Sequence, residues 1–184
     1  LGHISIEQLL IDDEGNTAKT IRFSGVNLQV VNGLGATNGN PDFDEENDNE
    51  LFSENNITNG LGNLIVGYQE PRSDDGNEAT VDTNDRSGSH NIVVGKGNNY
   101  SMWGGMLVGW RNTVSGFLSS VGGGFNNGIY GRHSTIGGGY SNRVAGAGMC
   151  TIGGGALNRA EAVGATVAGG TGNVASGEVS AVGG

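Results

Sequence analysis

The octets T-I-G-G-G-Y-S-N at Thr135–Asn142 and T-I-G-G-G-A-L-N at Thr151–Asn158 decide how this chain folds. Upstream the same phrase reads S-V-G-G-G-F-N-N at Ser120–Asn127, and downstream it reads T-V-A-G-G-T-G-N at Thr166–Asn173. A further copy opens at Ala181-Val182-Gly183-Gly184. Successive copies start 15, 16, 15 and 15 residues apart. None is long enough to enclose a core, so the copies must stack on one another.

Each copy carries two apolar registers. The first runs through Val66, Val94, Val108, Val121, Ile136, Ile152, Val167 and Val182. The second, Val114, Ile129, Val144, Ala160 and Ala175, follows Asn112, Asn127, Asn142, Asn158 and Asn173 by two positions. Two short strands per coil, with Asn and Gly at the corners because they tolerate positive φ, make an all-β parallel solenoid of 14–16-residue coils. In-register rungs about 4.8 Å apart set Asn above Asn, for hydrogen bonds between turns, and Val/Ile in columns inside. Two small apolar residues per coil bury little area against Gly-rich chain entropy. That predicts association of several copies to keep the columns dry.

Composition agrees with a wound, Gly-rich structure: 37 of 184 residues are Gly and 35% are hydrophobic. The absence of a strict Gly-X-Y period excludes collagen, and the regular return of Val and Ile argues against disorder. Net charge is −10, with 17 of the 19 acidic residues before Arg86, opposed there only by Lys19, Arg22 and Arg72. Phosphate contacts need clustered Lys and Arg, so nucleic acid is not expected as a partner. No apolar run reaches transmembrane length, so no membrane span is expected in this segment. The chain opens without Met or a signal peptide and stops inside a repeat, and it reads as part of a longer or processed protein.

Four regions follow from this pattern. Residues 1–35 are an opening segment in which Ile4-Ser5-Ile6, Leu9-Leu10-Ile11 and Ile21-Arg22-Phe23 flank a turn-like Asp12–Asn16. That arrangement fits a hairpin, or a short helix followed by a strand, and the alternation over Ser24–Gly35 predicts a first strand. Residues 36–58 are an acidic surface insertion. Residues 59–107 are irregular early coils with an excursion at 69–89, and residues 108–184 are the regular repeats.

The series G-N-L-I-V-G-Y (Gly62–Tyr68), S-G-S-H-N-I-V-V-G (Ser87–Gly95) and V-G-G-G-x-x-N resembles the YadA-like head repeats of trimeric autotransporter adhesins. It is also similar to related bacterial Gly-rich surface-fibre proteins, over about residues 60–184. The resemblance implies a left-handed parallel β-roll, a homotrimer wound about a threefold axis, and an extracellular fibre on the bacterial cell surface. Gly-Gly-Gly stands where such heads carry alanine-rich S-V-A-I-G, and neither an anchor barrel nor a coiled-coil stalk is present in this sequence. The family implies no catalytic residues.

Candidate chemistry is sparse. Asp42, Asp44, Glu46 and Asp48 place oxygens on alternate residues, a spacing able to wrap calcium. The glycine of an EF-hand loop is missing there, and a solvated loop is the competing reading. A nonapeptide calcium roll is rejected, because the repeats after Arg86 contain no Asp. His3, His90 and His133 are scattered without zinc-ligand spacing. Cys150 occupies the position of Ser119, Ser134, Ala165 and Ser180 and reads as a small side chain in a crowded place; a reactive thiol is the alternative. Trp110, Phe125 and Tyr140 recur at one repeat position: they either cover corners or form a contact stripe for glycan or protein. Arg132, Arg143 and Arg159 read as solvated ridge residues, and the sequons at Asn56 and Asn99 as accidental.

The expected function is a structural and adhesive fibre segment, not an enzyme. Its expected partners are sister chains, in a homotrimer or filament, and a host, cell-surface or glycan ligand. An ice- or surface-binding solenoid is the alternative, using the hydroxyl rank Ser120, Thr135, Thr151 and Thr166. A β-helix carbohydrate-active enzyme ranks lower, because Glu161 and Glu178 are the sole carboxylates within the repeats.

Overall fold

A computed structural model describes residues 4–10, 13–40, 57–72, 84–146 and 148–184. The chain divides into two compact units, Leu1–Val30 and Val31–Gly184. No helix occurs among the described residues.

The first unit is a hairpin, the first of the two sequence readings. β1 (Ile4–Leu10) pairs antiparallel with β2 (Thr17–Phe23), from Ile4 opposite Phe23 to Leu10 opposite Thr17. Alternation puts Ile4, Ile6, Leu10, Ile21 and Phe23, with Gln8, Thr17 and Lys19, on one face and Ser5, Glu7, Thr20 and Arg22, with Leu9 and Ala18, on the other, mostly polar face. On that polar face Arg22 Nη1 lies 3.2 Å from Glu7 Oε2. The strand expected over Ser24–Gly35 does not form. Asn32 Oδ1 accepts the Leu34 N–H at 2.9 Å, and Gly33 and Gly35 turn the chain at φ of 80° and 86°. A local Asx turn takes the bonds that a ladder would need.

The second unit is a parallel β-solenoid. Its larger sheet stacks β3 (Leu64–Val66), β4 (Ile92–Lys96), β6 (Met106–Trp110), β8 (Ser120–Val121), β10 (Thr135–Ile136), β12 (Thr151–Ile152), β14 (Thr166–Val167) and β16 (Ala181–Val182). The smaller stacks β5 (Asn99–Tyr100), β7 (Thr113–Val114), β9 (Gly128–Ile129), β11 (Arg143–Val144), β13 (Arg159–Ala160) and β15 (Val174–Ala175). Six coils thus give one strand to each sheet. Along the inward column Val93, Leu107, Val121, Ile136, Ile152, Val167 and the partly buried Val182, the coils measure 14, 14, 15, 16, 15 and 15 residues.

That column departs from the sequence reading at its start. Val121 pairs with Leu107, not with Val108. Val66, Val94 and Val108 pair with one another one residue further on, on the outer face, and Val66 is 57% exposed. The cause is the third glycine. Trp110 bridges to Phe125, so Val108-Gly109 in one coil answers Gly122-Gly123-Gly124 in the next. Aligning the V-G letters therefore slips the early coils by one residue, which exchanges the faces of a strand. The second column, Val114, Ile129, Val144, Ala160 and Ala175, is buried throughout, and Tyr100 heads it at 2% exposure.

The chain closes its own interior. Val121, Ile136, Val144 and Ile152 are 0% exposed with one copy present. The expectation that sister chains are needed to dry these columns is therefore overturned. Counting two apolar side chains per coil left out the corner Asn and Ser/Cys/Ala positions, which are also buried and seal the gap between the sheets.

Candidate functional site

One corner of the solenoid is a continuous side-chain ladder. The backbone N–H groups of Asn112, Asn127, Asn142, Asn158 and Asn173 each donate to the Oδ1 of the Asn one coil earlier, beginning at Asn98, over 2.8–3.0 Å. From Asn127 onward each Nδ2 also reaches that Oδ1, at 3.1–3.2 Å. Every buried polar group of the side chain is thereby used. The sequence reading assigned these Asn to positive φ. That duty falls instead on the residue before each: Arg111, Asn126, Ser141, Leu157 and Gly172, at φ of 57°, 59°, 51°, 58° and 71°.

The opposite corner uses two shorter side-chain runs that the sequence left unread. Asn91 N–H donates to Asn63 Oδ1, Gly105 N–H to Asn91 Oδ1, Ser134 N–H to Ser119 Oγ, and Cys150 N–H to Ser134 Oγ. Cys150 is fully buried, and its thiol donates to the Ala162 carbonyl at 3.0 Å. Here too the preceding residue is left-handed: Leu118, His133, Met149 and Val179 have φ between 51° and 59°. Three of those four are exposed apolar side chains.

Trp110, Phe125 and Tyr140 come together on successive rungs. Their ring centroids are 4.7 and 5.8 Å apart, and the Phe125–Tyr140 pair lies within 23° of parallel. The Trp110–Phe125 pair is tilted by 49°, and Trp110 and Tyr140 are 51% and 50% exposed, so the stripe covers the Gly-rich corner and still shows ring surface to solvent. A second stack, Trp103–Phe117 at 5.8 Å with His133 edge-on to Phe117, lies at the other corner. Burial, with Arg132 adding to it, holds His133 below its ordinary value of 6.5.

Two arginines act as backbone clamps, a role that charge counting could not reveal. Arg72 Nε donates to the Gly97 carbonyl at 2.7 Å, and its Nη2 to the Arg111 and Asn112 carbonyls at 2.8 Å. Arg86 donates to the carbonyls of Gln69 and Glu70. Beneath, Tyr100 O–H donates to Gln69 Oε1; burial raises the Tyr100 pKa, while Gln69 and Arg86 pull it down. On the outer face of the smaller sheet, Arg143 lies 4.6 Å over the Tyr130 ring, and Arg159 pairs with Glu161 at 2.7 Å. A polar cleft of about 320 Å³ opens between Arg72, Thr113, Asn126, Gly128, Tyr130 and Arg143.

The larger sheet has a plainer exterior. Its outward column runs Leu64, Ile92, Met106, Ser120, Thr135, Thr151, Thr166 and Ala181. It is apolar over the first three strands and hydroxylated over the next four, with Gly122, Gly137 and Gly153 alongside the hydroxyls. Among the described residues no three His, Cys, Asp or Glu side chains converge on a metal site. The calcium candidates Asp42, Asp44, Glu46 and Asp48 lie outside the described residues, as do His3 and the sequon residue Asn56. Asn99 is 5% exposed, so its sequon is closed to modification in the folded chain.

No protein-family model, curated protein or solved structure matches this chain.

Proposed function

We propose that this chain is a structural and adhesive segment of an extracellular bacterial surface fibre. In this reading it is a left-handed β-roll that assembles as a homotrimer and acts by presenting surface, not by catalysis. The observation that carries the reading is the exterior of the larger sheet. Leu64, Ile92 and Met106 stand 48%, 46% and 39% exposed in register, and the face continues as Ser/Thr beside Gly with little relief. A flat face with few protruding side chains lets copies of a rod pack side by side, and a contiguous apolar strip favours that packing. The coils behind it are held by the asparagine ladder, unbroken from Asn98 to Asn173, as a load-carrying shaft requires. Sedimentation equilibrium of the full chain should give three protomer masses, with elongated threefold particles in electron micrographs. A monomer at tens of micromolar would remove the trimer.

The hydroxyl rank supports a second reading, a solenoid that binds ice or another ordered surface. Ser120, Thr135, Thr151 and Thr166 sit directly above one another on parallel strands. Thermal hysteresis in a freezing assay that vanishes in Thr135→Val/Thr151→Val would favour it; its absence in the unaltered chain would retire it.

A further inference from the structure

The hairpin unit presents a surface that the fibre reading does not use. Ile4, Ile6, Leu10, Ile21 and Phe23 share one face and are 49%, 71%, 72%, 60% and 46% exposed. The opposite face is mostly polar, with Leu9 and Ala18 as its apolar members, and is internally paired: Ser5 Oγ donates to Glu7 Oε1 and Arg22 pairs with Glu7. The first face holds five large apolar side chains beside Gln8, Thr17 and Lys19, and that bias favours its burial. An isolated two-stranded hairpin is at best marginal in water, so the five side chains need a cover.

We infer that this apolar face is a self-association surface and that its occupant is the same face of a second copy of the chain. Five large apolar side chains at these exposures leave on the order of 500 Å² open per copy. Two copies face to face then remove about 1,000 Å², the size at which a specific interface begins. Both sides of such a contact are supplied by one sequence, related by a twofold axis. Ile4 and Phe23 lie at one end of the face with Ile6 and Ile21 beside them, and Gln8 and Lys19 separate these from Leu10 at the other end. Lys19, opposite Gln8 on this face, stands on a two-stranded sheet where each strand has an open side, so its stem can lie on apolar surface while the ammonium stays in water. The contact uses no residue of the solenoid, so it stands or falls apart from the fibre reading.

Cys150, the single cysteine, is 0% exposed, so a thiol introduced into the hairpin is the reactive one in the full chain. Maleimide labelling of Ile6→Cys is expected to slow several-fold as chain concentration rises from nanomolar to tens of micromolar. Labelling of Thr20→Cys, on the polar face, is expected to keep its rate. A rate at Ile6→Cys independent of concentration overturns the inference: fast throughout means the face stays open, and slow throughout means it is covered within one chain. Equal slowing of both thiols overturns it as well. Sedimentation gives the second check, with Ile6→Asp/Ile21→Asp expected to lose an association step that Thr20→Asp retains. An unchanged mass in the double variant places the contact between copies elsewhere and leaves the solenoid's own assembly untouched.

Discussion

Replacing Asn142 by Ala tests whether the asparagine ladder holds the coils together. Asn142 is 0% exposed; its Nδ2 donates to Asn127 Oδ1, to the Gly138 carbonyl and to the Gly155 carbonyl, and its Oδ1 accepts both N–H and Nδ2 of Asn158. Some partners survive the substitution. The Gly155 carbonyl keeps the Tyr140 N–H, Asn127 Oδ1 keeps the Asn142 N–H, and Asn158 Nδ2 keeps the Gly154 and Gly170 carbonyls. The Asn158 backbone N–H does not survive it, because its acceptor is Asn142 Oδ1 and Asn158 is itself fully buried. An orphaned buried donor costs about 1–3 kcal/mol, and the other lost bonds about 1 kcal/mol more, so Asn142→Ala should lose about 3 kcal/mol. Asn173→Ala is the control: Asn173 is partly exposed, and its side chain gives bonds to Asn158 Oδ1 and the Gly169 carbonyl. It should lose about 1 kcal/mol. Urea unfolding followed by far-ultraviolet circular dichroism reads both as midpoint shifts, with the Asn142 variant lower by about 1–3 M at ordinary slopes. Equal losses at the two positions would refute the ladder as the source of stability.

Three further outcomes follow from the backbone and from His133. Gly124→Ala should cost about 3 kcal/mol or more, because φ is 85° and a Cβ would sit 2.0 Å from the Gly139 carbonyl oxygen. Gly123→Ala, where a Cβ meets nothing within 4 Å, should stay within about 0.5 kcal/mol, and equal urea midpoints for the pair would refute the assignment. Val179→Gly should raise the unfolding free energy by about 0.5–1 kcal/mol, and the urea midpoint with it: a β-branched residue at φ 55° and 82% exposure gives up more strain than glycine adds in chain entropy. A lowered midpoint would mean that Val179 makes contacts outweighing its strain. His133 binds its proton less readily folded than unfolded, so its contribution is complete above pH 6.5 and is lost as pH falls through the folded value. NMR titration should place its imidazole below 6.5, and His133→Gln should flatten the stability profile below neutrality; an imidazole titrating above 6.5 would reverse the sign.

Much of the fold was legible because the repeat is nearly literal. Ile136, Ile152 and Val167 recur with their flanking Thr and Gly, and they pair in the register that their letters predict. Legibility failed where one residue was gained or lost. The V-G of Val108-Gly109 and the G-G-G of Gly122–Gly124 look like the same corner, yet the spare glycine moves the buried position from Val108 to Leu107. The surfaces were harder to read. Trp110, Phe125 and Tyr140 could be grouped by position, but whether their rings show faces or edges depends on the rung spacing. Arg72 and Arg86 carry no local signal at all, since their acceptors are carbonyls contributed by other coils.

By itself the sequence determined that the chain winds into short parallel coils. A 15-residue period with Val/Ile and Asn at fixed places admits no other way to bury apolar groups and to satisfy the corners. The tertiary structure decided which residue of each pair faces inward, that one copy suffices to close the interior, and that the left-handed residue precedes the corner Asn. Those outcomes depend on how adjacent coils sit on one another. A hydrogen bond between rungs is specified by two residues about fifteen positions apart, and neither one alone carries the information.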